Sequence, residues 1–478
     1  MSKPKRADRE KKGVSRRDFV RTGGAMLAGG AALAGTATPG GAETIPSRAV
    51  GRAAPFGRAA LFGYPPVQDA KIKAYRTLGR TGFEVSDVGM GSVPLRETAV
   101  VRYAYDKGIN YFDTAEGYGN GAAERAIGEA MQHMERDKIF INSKARVADD
   151  DDAEAVIRKV RGSLERLQTD YIDSYCMHGV PSIEALNHPG FHEAMDRLKA
   201  EGRVRFRGIS CHGAGRGVEQ TAADILSAGA ESGRFDMMLL IYNFMNREDG
   251  ERVMAACKAN NVGTTAMKTS PGAISYTPLD EENLTEEQES YINRYVERGQ
   301  TREAAMVRLR EQAERRKDLY ENTRPFAEQY GVQTAEQLRV GSIHWVLQNP
   351  DMHTACVAFT DFELIDRVVP VSGTALTAPE QEMLQEIGVA LDDQYCRHAC
   401  TECADACPAM VPVSTIMRYA YYYEGQGLQK HAMSLYAGLE GAAASACLDC
   451  AGHCEGACRY GIDIQSSLLQ AHGLLTLA

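Results

Sequence analysis

Eight of the chain's twelve cysteines stand in two tight groups near its end. The first group is Cys396, Cys400, Cys403 and Cys407, with Pro408 following; the second is Cys447, Cys450, Cys454 and Cys458. Four thiolates so closely spaced can converge on one inorganic centre, because short loops let each sulfur turn inward. Two such groups predict a pair of [4Fe–4S] clusters, and with them one-electron chemistry. Zinc is the first alternative, since C-x2-C pairs build structural zinc sites. A zinc site, however, wants two separated pairs per ion, and each group here is compact. A disulfide framework is the second alternative, and it gains weight if the protein leaves the cytoplasm.

The spacings, C-x3-C-x2-C-x3-C-P and C-x2-C-x3-C-x3-C, are each slightly stretched relative to the bacterial ferredoxin run, and Cys458 is followed by Arg459 instead of proline. In two-cluster ferredoxins the fourth cysteine of each run serves the other cluster. An exchange of Cys407 and Cys458 is compatible with the sequence, which leaves both pairings open. His398 and His453 lie inside the groups and are read as neighbours of the sulfurs, not as ligands. Tyr419, Tyr421, Tyr422 and Tyr423 lie between the groups and are read as core or cluster-shielding residues. Residues 392–478 are thus expected to form a small, mostly helical, ferredoxin-like iron–sulfur domain.

The amino terminus says where such chemistry would happen. Ser15-Arg16-Arg17-Asp18-Phe19-Val20 resembles a twin-arginine export motif, and a mild Gly/Ala-rich stretch follows it. That stretch is too short for a membrane span, which needs about 20 apolar residues. Residues 1–42 are expected to be a twin-arginine signal peptide and 43–70 a linker rich in Ala, Gly and Pro. Twin-arginine machinery exports folded proteins, so iron loaded in the cytoplasm would be shielded before reaching an oxidising compartment. The expected location is periplasmic, or otherwise exported by that route.

Between leader and tail, residues 71–391 exceed the length of about 250 typical of a (β/α)8 barrel. Short β-rich runs (Ile109–Phe112, Ile139–Asn142, Tyr171–Tyr175, Val204–Ile209, Met237–Tyr242, Val262–Ala266 and Thr354–Ala358) alternate with helical patterns (Ala122–Met131, Ala153–Leu167, Phe191–Ala200 and Gln337–Leu347). Such alternation predicts a parallel sheet with crossover helices, and its number of repeats predicts closure into an α/β TIM barrel. A densely charged insertion, 270–331, reads as a helical hairpin capping the barrel mouth, with Ile292, Tyr295, Ala305, Val307 and Leu309 as its apolar positions. The net charge of −10 offers no basic footprint for nucleic acid.

Barrel active sites sit at the carboxyl ends of strands. Those ends carry Asp113, Lys144 and His178, with Tyr118 in the loop after Asp113. Here the chain resembles the aldo/keto reductase family: NYFDTAEGYGNGAAERAIGEA is similar to that family's Asp/Tyr segment, and YRTLGRTGFEVSDVGMGS to its amino-terminal hairpin and first strand. The cysteine tail is similar to the family's iron–sulfur branch. The resemblance implies a catalytic tetrad of Asp113, Tyr118, Lys144 and His178 acting on a small carbonyl or alcohol. Lys144 would lower the pKa of the Tyr118 phenol, Asp113 would hold Lys144 charged, and His178 would orient the carbonyl.

The resemblance also implies a nicotinamide cofactor, NAD(P)H, bound near Ser210, Cys211, Tyr242, Lys268 and Thr360. Cys211 and Leu239 depart from the family's Asn and Gln, however. Around Thr360 the chain has Asp361, Glu363 and Asp366 where a 2′-phosphate would want a cation, and Arg367 is out of register. Two rivals follow: a barrel fed by a redox protein partner through the clusters without free NAD(P)H, and a non-catalytic electron-transfer or scaffold subunit. Cys176, Cys211, Cys257 and Cys356 are scattered and expected to be buried and inert, with Cys211 nearest the cofactor pocket. Substrate and oligomeric state have no readable code.

Overall fold

The computed structural model describes residues 64–271 and 329–476, apart from 331, 333, 334, 440 and 449, together with parts of 279–321. The twin-arginine segment and most of the linker lie outside the described residues. The linker's last residues dock on the barrel: the Val67 amide donates to the Asp366 carbonyl at 2.9 Å, and the Tyr64 hydroxyl donates to Glu380 Oε1 at 2.8 Å.

An antiparallel hairpin comes first, β1 (Tyr75–Thr77) with β2 (Glu84–Ser86). Eight strands follow: β3 (Val88–Gly91), β4 (Tyr111–Asp113), β5 (Phe140–Ala145), β6 (Ile172–His178), β7 (Val204–Ser210), β8 (Met237–Ile241), β9 (Gly263–Met267) and β10 (Thr354–Ala358). All pair in parallel, and β10 bonds to both β3 and β9, so the barrel closes and no edge is left for another chain to pair with. Between successive strands run α1 (Thr98–Asp106), α2 (Ala122–Met131), α3 (Ala153–Leu167), α4 (Pro189–Ala200), α5 (Ala222–Glu231), α6 (Arg247–Ala259) and α7 (Ala335–Leu347). After β10 come α8 (Phe362–Val368) and α9 (Ala378–Ala390).

The strand period of two sorts the side chains. On β5, Ile141 and Ala145 join the apolar layer beneath the helices, whereas Phe140 packs inside the barrel with Tyr111, Cys176, Met237 and Leu239. The helices complete the outer layer with Val100, Ile127, Ile157 and Leu198, and each such burial contributes about 1.5–3 kcal/mol. Inside, space is tight: a Cβ on Gly208 would stand 2.3 Å from Cys176 Sγ. Glycine there lets β6 and β7 approach while their inward side chains fill the axis.

The expected strands are all present, with most ends moved by one to three residues. The run predicted at 109–112 starts two residues later, at Tyr111, while the run predicted at 171–175 continues to His178. The insertion 270–331 lies largely outside the described residues. What is described forms a small apolar cluster of Ile292, Ala305, Met306 and Leu309, separate from the barrel core, while Val307 is exposed.

The tail adds α10 (Val413–Glu424), α11 (Gln429–Ala437) and α12 (Ile464–Leu475), with the cysteines on turns around them, and no strand among its described residues. Its core is its own, combining Ile416, Tyr419, Tyr422, Tyr436, Ile464 and Leu468 with Cys403, Cys447 and Cys454. No described helix is long and apolar enough to cross a membrane.

Candidate active site and cysteine groups

Asp113, Lys144 and His178 occupy the last inward positions of β4, β5 and β6, so neighbouring strands deliver them to one mouth. Lys144 Nζ donates to Asp113 Oδ1 at 2.6 Å and to the Thr114 carbonyl at 2.7 Å, and Asn142 Nδ2 donates to Asp113 Oδ2 at 2.7 Å. Lys144 is 1% exposed and Asp113 3%, so the pair is buried, and hydrogen bonds from Asn142 and to the Thr114 carbonyl support it. Lys144 Nζ stands 5.1 Å from the Tyr118 ring centroid, and the His178 ring meets Tyr118 edge-on at 5.9 Å. The four predicted residues are therefore together.

Their protonation states differ from the simplest expectation. Burial opposes the charge on Lys144, but Asp113 and Tyr118 outweigh it and hold the ammonium charged well above the ordinary lysine range. For Tyr118 burial dominates. It pushes the phenol up, Lys144 offsets only part of that, and Asp113 adds to the rise. The expected lowering of the Tyr118 pKa is overturned, because burial outweighs the field of Lys144, which Asp113 further offsets. His178 is driven well below the ordinary imidazole range by burial, then by Lys144, Arg146, Lys268 and Arg418, and is neutral.

The mouth is covered by the tail. Arg418 Nη1 of α10 donates to the His212 carbonyl at 2.9 Å, and the Tyr421 hydroxyl donates to the Ser270 carbonyl at 3.1 Å. Asn246 Nδ2 donates to the His398 carbonyl at 3.2 Å, and Arg216 Nη2 to the Ala409 carbonyl at 3.2 Å. These contacts fall on the loops after β7, β8 and β9. Ala399, between two cysteines of the first group, packs against the apolar cluster inside the barrel. Among the described residues it is the tail that caps the mouth, and Tyr421 and Tyr422 face barrel loops as well as their own core. Tyr419 and Tyr422 are buried in the tail's core, as expected, and Tyr421 and Tyr423 pack against it.

The aldo/keto reductase profile matches residues 90–388, well over half of the chain. The chain belongs to the aldo/keto reductase family. It is an oxidoreductase. A Glycine max protein named "Probable aldo-keto reductase 1" is 26% identical over 346 residues, 67% of this chain and 86% of that protein. An Escherichia coli strain K12 protein named "NADH-specific methylglyoxal reductase" is 23% identical over 347 residues, covering 66% of this chain and 98% of that one. Among solved structures, an aldo-keto reductase from Bacillus halodurans superposes with a TM-score of 0.45 at 22% identity, covering 66% of this chain and 96% of its own. One from Klebsiella pneumoniae, in complex with NADP and acetate, gives 0.45 at 21% identity over 68% of this chain and 99% of its own.

In this aldo/keto reductase the residues expected around a cofactor are scattered in role. Ser210 Oγ accepts from the Gly179 amide at 3.0 Å. Cys211 is buried, donates to the Gly213 carbonyl, and is pushed up to about 11 by burial. It lines a small cavity between barrel and tail with Asn246, His398 and Ala399. Tyr242, one residue past β8, turns outward, where its hydroxyl accepts from Asn349 Nδ2 at 3.1 Å and its ring packs on Trp345. Thr360 Oγ1 donates to Asp361 Oδ2 at 2.7 Å, and Arg367 is engaged by Glu363 and Glu336. Lys268 Nζ lies 4.8 Å from the Tyr422 ring centroid. Cys176 and Cys257 are buried and pushed up to about 12 by burial, inert as expected, and Cys356 is driven well above the ordinary thiol range.

All eight tail cysteines are free thiols. Burial pushes up the thiols of Cys396, Cys400, Cys403, Cys447 and Cys454, and neighbouring thiols add to the rise. Cys396 feels Cys400, Cys403 and Cys458, whereas Cys447 feels Cys407, Cys454 and Cys450. Cys454 likewise feels Cys407 and Cys450, and Cys400 feels Cys458. Cys458 is thus among the neighbours of the first run and Cys407 among those of the second. Cys403 also feels Cys454, so the two groups are adjacent. Among the described residues no three His, Cys, Asp or Glu side chains converge as they would around a single metal ion. Ligands of a four-iron cluster each bind a different iron and stand farther apart than that.

Sequence reasoning missed Arg418, His212 and Arg96, and the approach of Tyr422 to Lys268. No local signal marks them, because they reach the mouth from the tail and from loops whose patterns are ordinary.

Proposed function

We propose that this protein is an exported oxidoreductase that interconverts a carbonyl and an alcohol at Asp113, Tyr118, Lys144 and His178, and that its tail carries two [4Fe–4S] clusters. The observation that carries the first half is the buried Lys144–Asp113 pair at 2.6 Å beneath the Tyr118 ring, with neutral His178 at its edge. A reduced nicotinamide, if bound, would supply hydride to the carbonyl carbon and be oxidised in turn, and the carbonyl oxygen would then develop alkoxide charge. Tyr118, held protonated, gives its O–H proton to that oxygen. Lys144 stabilises the tyrosinate left behind, Asp113 keeps Lys144 oriented, and His178 donates a hydrogen bond to the same oxygen. The reverse sequence oxidises the alcohol, with tyrosinate as base.

The donor set of the tail suits two clusters, one held by Cys396, Cys400, Cys403 and Cys458, the other by Cys407, Cys447, Cys450 and Cys454. Eight free thiols in two adjacent groups, surrounded by apolar and aromatic side chains, support this ligation in a ferredoxin-like domain. When bound, such clusters supply single electrons. The Ser15–Val20 motif supports twin-arginine export to the periplasm.

A second reading of the electron source is favoured by specific contacts. Ala399 packs against the interior cluster that contains Leu239, and Arg367 is committed to Glu363 and Glu336 beside Asp361. Neither suits a nicotinamide dinucleotide with a 2′-phosphate, so electrons from a redox protein partner would replace free NAD(P)H. Anaerobic purification with iron and sulfide analysis, followed by EPR before and after NADH or NADPH, tests both. About eight irons is the expected content. A cluster signal raised by nicotinamide supports one enzyme fed by that cofactor, a signal raised only by dithionite supports the partner reading, and no iron overturns the clusters. Carbonyl turnover that is unchanged in Tyr118→Phe would overturn the site.

A further inference from the structure

The chain as a whole is acidic, with a net charge of −10, yet its mouth is lined by cations. Arg96, Arg146, Lys268 and Arg418 form no ion pair among the described residues, unlike Lys144, which is spent on Asp113. Arg418 is 8% exposed, and its Nε is buried without a hydrogen-bond partner. A buried guanidinium without a carboxylate is costly and calls for an anion to complete it.

Lys268 and Arg418 come from opposite parts of the chain and act on the same groups. Both weigh on His178, on His212 and on Tyr422. Burial alone would raise the Tyr422 phenol, but the two cations more than offset it and lower it. The charges weighing most on His178, from Lys144, Arg146, Lys268 and Arg418, are all cationic, and Arg418 and Lys268 lead at His212. The His178 and His212 rings lie 5.9 Å apart, and His178 meets Tyr118 at the same distance, so the cations adjoin the reacting phenol. Buried donors and acceptors remain unused there, at His212 Nδ1 and at both ring nitrogens of His398. Lys268 also keeps a left-handed backbone, φ 55°, which disfavours any residue with a Cβ, while Asn243 Nδ2 holds its carbonyl at 2.8 Å.

We propose that this mouth, closed by α10, takes a carbonyl or alcohol substrate bearing an anionic group, a carboxylate or a phosphate, with Lys268 and Arg418 as its anchors. The proposal rests on the reading of Tyr118 as proton donor, since that places the reacting carbonyl. An anion gripped by two cations would pull the rest of a small substrate against Tyr118 and His178. A positive mouth on an acidic protein would also steer such substrates inward.

The test uses the full-length, iron-loaded protein and calorimetric titration with matched probes: glucose, glucuronate and glucose 6-phosphate, then hydroxyacetone and pyruvate, then inorganic phosphate. At least one anionic member is expected to bind tenfold or more tightly than its neutral counterpart. Whether a carboxylate or a phosphate leads identifies the group. Arg418→Gln and Lys268→Gln should each abolish the preference, and Arg418→Lys should restore most of it. Lys268→Gln keeps the test decisive if the buried Arg418 variant does not fold. Tyr118→Phe should keep the preference while losing turnover, which separates failure of the anchor from failure of the catalytic reading. No preference for any anion, a preference surviving both Gln variants, or binding of adenosine diphosphate ribose alone would overturn the proposal.

Discussion

The barrel and the tail solve the same problem with different materials. The barrel buries a continuous layer of Val, Ile, Leu and Met between strands and helices, and its deep charges are paired within it, Lys144 with Asp113 and Lys107 with Asp366. The tail buries three cysteines and several tyrosines around a handful of aliphatic residues. A core so thin offers little apolar area to offset the entropy of ordering the chain, which is why small domains commonly rely on metals or cross-links. The difference teaches that thiols stand in the tail's core where the barrel has aliphatic side chains, so the proposed clusters would stabilise the tail and leave the barrel untouched.

The sharpest way to break this comparison is to remove one thiol. Cys403→Ser or Cys447→Ser is expected to unfold the tail, read as a large rise in amide hydrogen exchange over residues 392–476, with barrel strands still protected. Equal loss in both regions would end the contrast. The crossed grouping is sharpened by pairing variants: Cys458→Ser should alter the same EPR signal as Cys400→Ser, and Cys407→Ser the same signal as Cys450→Ser.

On the barrel side, Tyr118→Phe is expected to cut carbonyl turnover by about 10²–10⁴-fold with little change in stability. The wild-type reduction rate should be flat from about pH 6.5 to 9, measured by initial rates. The sign follows from the shifts: Tyr118 is raised and stays protonated, while His178 is lowered and stays neutral. Alcohol oxidation needs the phenolate and should instead rise with pH across that range. A bell-shaped reduction profile would contradict these states.

Lys144→Met should destabilise the barrel by about 3–5 kcal/mol in chemical denaturation, because Asp113 would be left buried and unpaired. Adding Asp113→Leu should recover much of that loss. The smallest effect tests the rim. Thr221 caps α5, accepting from the Asp224 amide while the Asp224 side chain accepts from the Thr221 amide. Thr221→Ala should cost about 1 kcal/mol and leave the tail's exchange unchanged.

Much of the barrel was legible because its signals are local. Short β-rich runs such as Ile139–Asn142 and Thr354–Ala358 announce strands, and Asp113, Lys144 and His178 at the carboxyl ends of β4, β5 and β6 face the mouth once the strands close. Strand ends were less legible, since β6 runs on to His178 through hydrogen bonds to β7 that no single segment reveals. Tyr242 illustrates the limit: one residue past β8, its outward turn is decided by packing on Trp345, an element about a hundred residues away.

By itself, then, the sequence determined the strand–helix alternation, the tetrad's positions and the presence of two cysteine groups, all of which depend on spacing along the chain. Tertiary structure decided the rest. Cys458 comes near Cys396 through the tail's own folding, and Arg418 and Tyr422 reach the mouth beside Lys268 only because the tail folds back over the loops after β7 to β9. The protonation of Tyr118 was decided there too, since it depends on how deeply the phenol is buried and on how far Asp113 offsets the Lys144 field. Burial and fields act through space, and distance along the chain carries no record of them.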